Sequence, residues 1–190
     1  MKNFILALTL SLISNILFSA ENTSLGTTSF TITKKNAVNS LFLAIEDIEG
    51  FLDNFTPVGS KITKPVISGN NIEFVVSKTI LFITKKARFN ADVSITRSTS
   101  FCPSSSTAGF ELYLDLSKSE ALITNNIENF VMDFCISENG PDKATLTTKS
   151  YLRKASTFDN VFMGNIIVTE ISNQIPALIK ALKIVTAKQN

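Results

Sequence analysis

Alternation of apolar and polar residues through the middle of the chain is the feature that most restricts its fold. In GFELYLDLS, Phe110, Leu112 and Leu114 alternate with Glu111 and Tyr113. A period of two places one set of side chains on one face of a β-sheet. Comparable segments occur from residue 60 to residue 155, separated by polar turns. The pattern predicts about six antiparallel strands in this region.

One junction between these strands is less clearly marked. The segments IEFVVSKTILFIT and ARFNADVSITRS read as two successive strands. We expect them to join near Lys85 and Lys86, and we interpret these lysines with Arg88 as a solvated turn. The segment SKITKPVIS before them reads as one strand. Because it contains Pro65, we expect this strand at a sheet edge or a bulge.

Helical periodicity occurs on both sides of the strand region. A short strand around Phe30 leads into AVNSLFLAIEDIEGFLDNF, whose apolar residues recur at steps of three and four. Gly50 is expected to split this segment into two short helices. A long helix is predicted from about Val161 to Ala187, with Pro176 inside it. The fold class predicted is therefore α+β, with a sheet packed against one long helix.

The first 20 residues have the pattern of a secretory signal peptide. Lys2 precedes a mainly apolar segment from Phe4 to Phe18, which at 15 residues is short for a transmembrane helix. Cleavage after Ala20 fits the pattern, and a later cut after Gly26 is the alternative. An uncleaved N-terminal anchor is a further alternative. The expected organisation is a signal peptide over 1–20, or to about 26, and one domain over 27–190, in an exported protein that is periplasmic or secreted.

The two cysteines, Cys102 and Cys135, are interpreted in the light of this expected export. In an oxidising compartment, two cysteines in one domain usually form a disulfide. Two buried free thiols are the alternative. The chain has no histidine and no CxxC motif, so neither a metal site nor a cofactor is expected.

The charge composition argues against a nucleic-acid partner. The formal net charge is only +2, with 18 basic and 16 acidic residues. Binding to nucleic acid needs a concentrated basic face.

The order of elements, together with SFTIT, NAVNSLF and IEDIEGFLDNFTPVG, resembles the START-like superfamily, also called the SRPBCC or helix-grip fold. This resemblance covers Phe30 to about Ala187. It implies a curved antiparallel β-sheet wrapped around a long C-terminal α-helix, with two short helices after the first strand. It also implies an apolar cavity with Phe51 and Phe55 at its mouth. The alternative is that both phenylalanines only fix the short helix to the sheet.

Catalytic signals are weak in this sequence. General acid–base catalysis usually draws on histidine, and the chain has none, which excludes Ser–His–Asp and Cys–His arrangements and leaves carboxylates as candidates. Glu46, Asp47 and Glu49 cluster on what reads as a solvated helix face. The sequence does not decide whether the chain is an enzyme, and the weak catalytic signals weigh against an enzyme.

The sequence feature that favours a function is a broad apolar face directed inwards, which could line a ligand site. With Phe51 and Phe55, we expect the following residues to line the ligand site: Phe74, Val76, Phe89, Val93, Leu112, Leu114, Phe130, Met132, Phe134, Ile167 and Ile171. The leading hypothesis is a non-enzymatic binder of a hydrophobic small molecule or lipid, with transient membrane contact as a further expectation. The alternatives are an interaction or structural domain with a filled core, and a cyclase- or hydratase-like enzyme.

Overall fold

A computed structural model describes residues 22–59, 61–63, 65–80, 83–154 and 161–189. The expected signal peptide lies outside these described residues. The elements occur in the order β1 (Asn22–Thr33), α1 (Ala37–Glu46), α2 (Ile48–Asn54), β2 (Lys61–Ile62), β3 (Val66–Ser68), β4 (Asn71–Ile80), β5 (Ile83–Arg97), β6 (Ala108–Asp115), α3 (Ala121–Thr124), β7 (Ile127–Glu138), β8 (Lys143–Lys154) and α4 (Val161–Lys188).

The strands form one curved antiparallel sheet that lies against α4. Its order is β1-β8-β7-β6-β5-β4-β2, and β3 also pairs with β4. Strand β1 is therefore a neighbour of the last strand, β8, with Phe30 opposite Leu146. The predicted α+β class and the helix-grip arrangement implied by the resemblance are confirmed.

The buried core lies between the concave face of the sheet and α4. Phe110 of β6 and Leu146 and Leu152 of β8 point inwards and are at most 1% exposed. Ile179 and Leu182 of α4 are buried with them, three residues apart on one helix face. Burial of this apolar area holds the helix on the sheet.

The break between the first two helices lies at Asp47, so the prediction of a break at Gly50 is wrong. Asp47 accepts a hydrogen bond from the backbone N–H of Gly50 at 2.8 Å and so caps α2. A β-carbon at Gly50 would collide with this carboxylate. The glycine leaves room for the cap and does not act as a breaker.

The junction of β4 and β5 also differs from the expectation. Lys85 and Lys86 lie inside β5, paired with Lys78 and Ser77, so the predicted turn at these lysines is wrong. No glycine, asparagine or proline marks the true junction, which is why the sequence pattern misplaced it. The segment with Pro65 forms two short strands, β2 and β3, and α3 was not predicted.

The predicted disulfide is present. Cys102 and Cys135 are bonded, which ties the loop between β5 and β6 to the outer face of β7. Gly109 packs so closely against Ser98 and Cys102 that a side chain there would clash with both.

None of the helices in the described ranges combines the length and apolar character needed to cross a membrane.

Candidate functional site

A cavity of about 310 Å³ lies between α2, the sheet and α4. Twelve of the predicted site residues line it: Phe51, Phe55, Phe74, Val76, Phe89, Val93, Leu112, Leu114, Phe130, Met132, Phe134 and Ile171. The structure brings these residues together around one space, whereas their role in binding a ligand stays a prediction. The remaining predicted residue, Ile167, belongs to α4, but its side chain is outside the described part of the chain.

Strands β4 and β5 form one wall of the cavity, to which alternate residues of each strand contribute. Phe74 and Phe89 are directly opposite in the antiparallel pair, and their rings stack with centroids 5.1 Å apart. Residues two positions away on each strand point to the same side. On β5 this places Ala87 and Ala91 beside Phe89 in the lining.

The two alanines were missed because the sequence analysis looked for large apolar side chains. The signal was available in the alternation, because Ala87 and Ala91 share the parity of Phe89 and Val93. Their small size matters, since two short side chains leave space where larger ones would fill the core. The cavity is therefore partly a consequence of the small side chains on β5.

Helix α4 closes the opposite side with residues at helical spacing. Ile171, Gln174, Leu178 and Leu182 all line the cavity and lie on one helix face. The same face carries on into the buried core through Leu182 and Val185. The helix that stabilises the fold thus also provides a wall of the cavity.

The lining is apolar, with polar residues confined to Lys86, Glu170 and Gln174 among the described residues. Lys86 is exposed to solvent, and the other two are half-buried. General acid–base catalysis requires a polar group within hydrogen-bond reach of the reacting atoms. A ligand held deeper in the cavity would meet hydrocarbon surfaces.

One end of the cavity is covered by α2 and the loop that follows it. No residue of α2 is fully buried. Gln174 of α4 holds the loop through two hydrogen bonds, donating to the carbonyl of Val58 at 2.8 Å and accepting from its N–H at 2.9 Å. Lys188 donates to Asn54 at 3.1 Å. Polar contacts with α4 thus secure this cover over Phe51 and Phe55.

The acidic cluster of the sequence lies outside the cavity. Glu46 and Glu49 are exposed, as expected for a solvated helix face, and Glu46 pairs with Arg97. Asp47 is used as a helix cap. The described residues contain no cluster of three or more histidine, cysteine, aspartate or glutamate residues suited to a metal ion.

A buried carboxyl group occurs on the opposite, convex face of the sheet. Asp133 alternates along β7 with the cavity-lining Met132 and Phe134 and so faces outwards, but neighbouring side chains leave it only 6% exposed. Burial, and then the charge of Glu111, raise the pKa of Asp133, and Lys149 acts in the other direction. Burial also raises the pKa of Tyr151 to about 12. This group lies across the sheet from the cavity and contributes nothing to its lining.

Several solved structures are similar to this chain at low identity. A START superfamily protein from Mycobacterium smegmatis is 11% identical, with coverage of 87% of this chain and 98% of that chain and a TM-score of 0.48. Norcoclaurine synthase from Thalictrum flavum, in complex with dopamine and hydroxybenzaldehyde, is 8% identical, with 92% of each chain covered and a TM-score of 0.45. The Zhui aromatase/cyclase from Streptomyces sp. R1128 is 8% identical, with coverage of 87% and 94% and a TM-score of 0.41.

No protein-family model matches the sequence, and no curated protein matches it. Similarity at this level carries no argument about activity. The function of this chain therefore has to be inferred from the residues of its own cavity.

Proposed function

We propose that this chain is an exported, non-enzymatic binding protein that holds a hydrophobic small molecule or lipid between the sheet and α4. The observation that carries the proposal is the cavity of about 310 Å³ with its almost wholly apolar lining. Ligand pockets in proteins begin at about 300 Å³ and combine a hydrophobic lining with few polar groups. An interaction domain with a filled core would not need such a space.

The energetic cost of an empty cavity favours an occupant. Empty space in a core costs about 24 cal/mol per Å³, which for this volume is at most about 7 kcal/mol, because the cavity is partly open. Domains are typically stable by only about 5–15 kcal/mol. A bound apolar molecule would restore the lost contacts with Phe74, Phe89 and Met132.

The distribution of polar groups indicates the kind of ligand. An apolar body suits the interior, and any polar group would stay near Lys86, Glu170 and Gln174. Burial stabilises by about 0.8 kcal/mol per methylene, so a ten-carbon chain gains roughly 8 kcal/mol before the costs of association. Useful affinity therefore does not depend on a charged clamp inside the cavity.

The same distribution weighs against the enzymatic alternative. A cyclase or hydratase must place acid and base groups along its substrate. Leu112, Phe130 and Phe134, which line the cavity, offer none.

One feature of the structure supports export, and another favours the earlier of the two cleavage sites. The disulfide between Cys102 and Cys135 fits an oxidising compartment. Strand β1 begins at Asn22, so cleavage after Ala20 would leave it whole. Cleavage after Gly26 would remove the residues that pair with Tyr151, Leu152 and Arg153.

The experiment compares cavity-filling variants. Ala91 lines the cavity and Ala144 is a buried alanine of β8 outside the lining. Ala91→Val and Ala91→Leu should weaken binding of a fluorescent fatty acid several-fold while thermal stability is kept, because the added carbons enter empty space. Ala144→Val should lose about 1–3 kcal/mol by overpacking and keep its affinity for the probe.

Native mass spectrometry of the purified protein should in addition detect a co-purified apolar molecule. Wild-type protein that binds no apolar probe would contradict the proposal. The same conclusion would follow if Ala91→Val were as destabilising as Ala144→Val, since the site would then be a filled core.

A further inference from the structure

The charges of this chain are unevenly distributed. Between Asp53 and Asp92, residues 54–91 contain six basic residues and one acidic residue, Glu73, for a net charge of +5. The remaining 12 basic and 15 acidic residues give −3. We call residues 54–91 the basic segment; its basic residues are Lys61, Lys64, Lys78, Lys85, Lys86 and Arg88. The small net charge of the whole chain conceals this separation.

The fold places two lysines of the basic segment near one edge of the sheet. Lys61 of β2 is opposite Ser77 of β4, and Ser77 is opposite Lys86 of β5. Residues directly opposite in antiparallel strands point to the same face, so the two lysines lie on one face about 10 Å apart. Both are exposed. Arg88 pairs with Glu73 at 3.6 Å, which neutralises the one acidic residue of the segment.

The basic segment also borders the cavity. Lys86, Pro65 and Phe55 all line it. Lys86 alternates with Ala87 and Phe89, so its side chain and that of Lys61 point to the convex face of the sheet, beside the rim of the cavity.

Exposed apolar side chains occur on the same segment. Of the three large hydrophobic residues that are exposed among the described ones, two belong to it, Val58 at 54% and Val66 at 66%. The backbone of Val58 is held by two hydrogen bonds to Gln174 of α4, which lines the cavity.

We propose that the basic segment docks this end of the cavity on an anionic lipid bilayer. Lysine side chains are attracted to the negative surface of such a bilayer, and apolar side chains enter the boundary between headgroups and acyl chains. Nucleic acid would also attract the lysines, but it offers no apolar layer for Val58. Docking by this edge would bring the rim of the cavity close to a source of apolar ligand, a route that rests on the proposed function, whereas docking itself does not.

The test uses the full mature protein with vesicles of phosphatidylglycerol and of phosphatidylcholine. Wild-type protein should co-sediment with the phosphatidylglycerol vesicles at low salt, bind the phosphatidylcholine vesicles at least tenfold more weakly, and dissociate as salt is raised. Lys61→Glu with Lys86→Glu should weaken binding at least tenfold. The matched control is Lys143→Glu with Lys180→Glu, two exposed lysines outside the basic segment with the same change in net charge. Its binding should remain within about threefold of wild type.

A second measurement reports the orientation of the docked protein. The chain contains two tyrosines and no tryptophan, so Val58→Trp introduces a single tryptophan, whose emission can be excited selectively. Its emission should shift to the blue on addition of phosphatidylglycerol vesicles and should be quenched by a bromine-labelled lipid. Circular dichroism verifies that each variant is folded, and Lys61→Gln with Lys86→Gln provides a milder pair whose binding should fall by less.

Three results would overturn the docking proposal: no binding to phosphatidylglycerol vesicles, an equal loss in both charge-reversal pairs, or an unchanged Val58→Trp spectrum on bound protein. Failure of the proposed function gives a different pattern. In that case the fatty-acid probe does not bind, while vesicle binding and its dependence on Lys61 and Lys86 persist. Ala91→Leu, which fills the cavity, should leave vesicle binding unchanged.

Discussion

Replacing Phe55 with alanine tests whether this side chain belongs to the cavity or to the core. Phe55 ends α2, and its backbone N–H donates to the carbonyl of Leu52 at 3.2 Å, a bond that alanine retains. Its half-buried ring lines the cavity and is not among the described residues that pack against the buried core. Phe51, one helical turn earlier, lines the same cavity and also packs against that core. The two phenylalanines should therefore respond differently to truncation.

The expected magnitudes follow from these surroundings. Truncating a fully packed phenylalanine costs about 3–5 kcal/mol, and Phe110, which is 1% exposed, should show such a loss. Phe55→Ala should lose less than about 2 kcal/mol, because one side of its ring faces empty space. Phe51→Ala should lie between them. Removing roughly 50 Å² of apolar contact with a ligand, at about 25 cal/mol per Å², weakens binding by about 1.3 kcal/mol, or nearly tenfold in Kd.

Two measurements on the same variants decide the matter. Denaturant unfolding followed by circular dichroism gives the free energy of unfolding, and titration with a fluorescent fatty acid gives the affinity. We expect Phe55→Ala to lose more in affinity than in stability. If it instead loses as much stability as Phe110→Ala, or if its probe affinity equals that of wild type, Phe55 has a structural role only and the assignment of the cavity mouth is wrong.

Three further predictions concern other parts of the chain. Alkylation under denaturing, non-reducing conditions should label neither Cys102 nor Cys135, and reduction should cost roughly 3–4 kcal/mol of stability; two labelled thiols per chain would contradict the disulfide. The N-terminus of the exported protein, read by mass spectrometry, should lie between Glu21 and Thr27, whereas a chain still beginning at Met1 would identify an anchor. Because burial raises the pKa of Asp133, its ionisation destabilises the fold as pH rises through that pKa. Asp133→Asn should therefore be more stable than wild type at about pH 7 and lose this advantage below about pH 3.9; an advantage independent of pH would count against this reasoning.

The fold could be predicted wherever periodicity was strong. The alternation through Phe110, Leu112 and Leu114 placed β6 correctly, and the helical stripe of α4 predicted its start at Val161. The errors lie where local chemistry departs from the usual signals. Gly50 looked like a helix breaker because its role in accommodating the Asp47 cap depends on a contact that composition does not reveal.

The candidate site could be predicted as a set of residues, but its volume could not. Alternation and helical spacing determine which side chains point inwards, and this was enough to select Phe74, Phe89 and Met132. Whether inward side chains fill their space depends on the separation between sheet and helix and on the small residues among the large ones. No pattern along the chain measures that separation.

Ala87 and Ala91 illustrate the physical point. A filled core would favour a large side chain at each inward position of β5, because each added methylene gains about 0.8 kcal/mol on burial. Instead the inward face reads Ala87, Phe89, Ala91, Val93, and the two alanines border the cavity. Phe89 stacks on Phe74 of the neighbouring strand, so these two large rings cover part of one another. The order of small and large residues on β5 therefore contributes to the cavity, together with the separation between sheet and helix. A binding site for an apolar molecule can thus arise in a chain whose composition is that of an ordinary hydrophobic core.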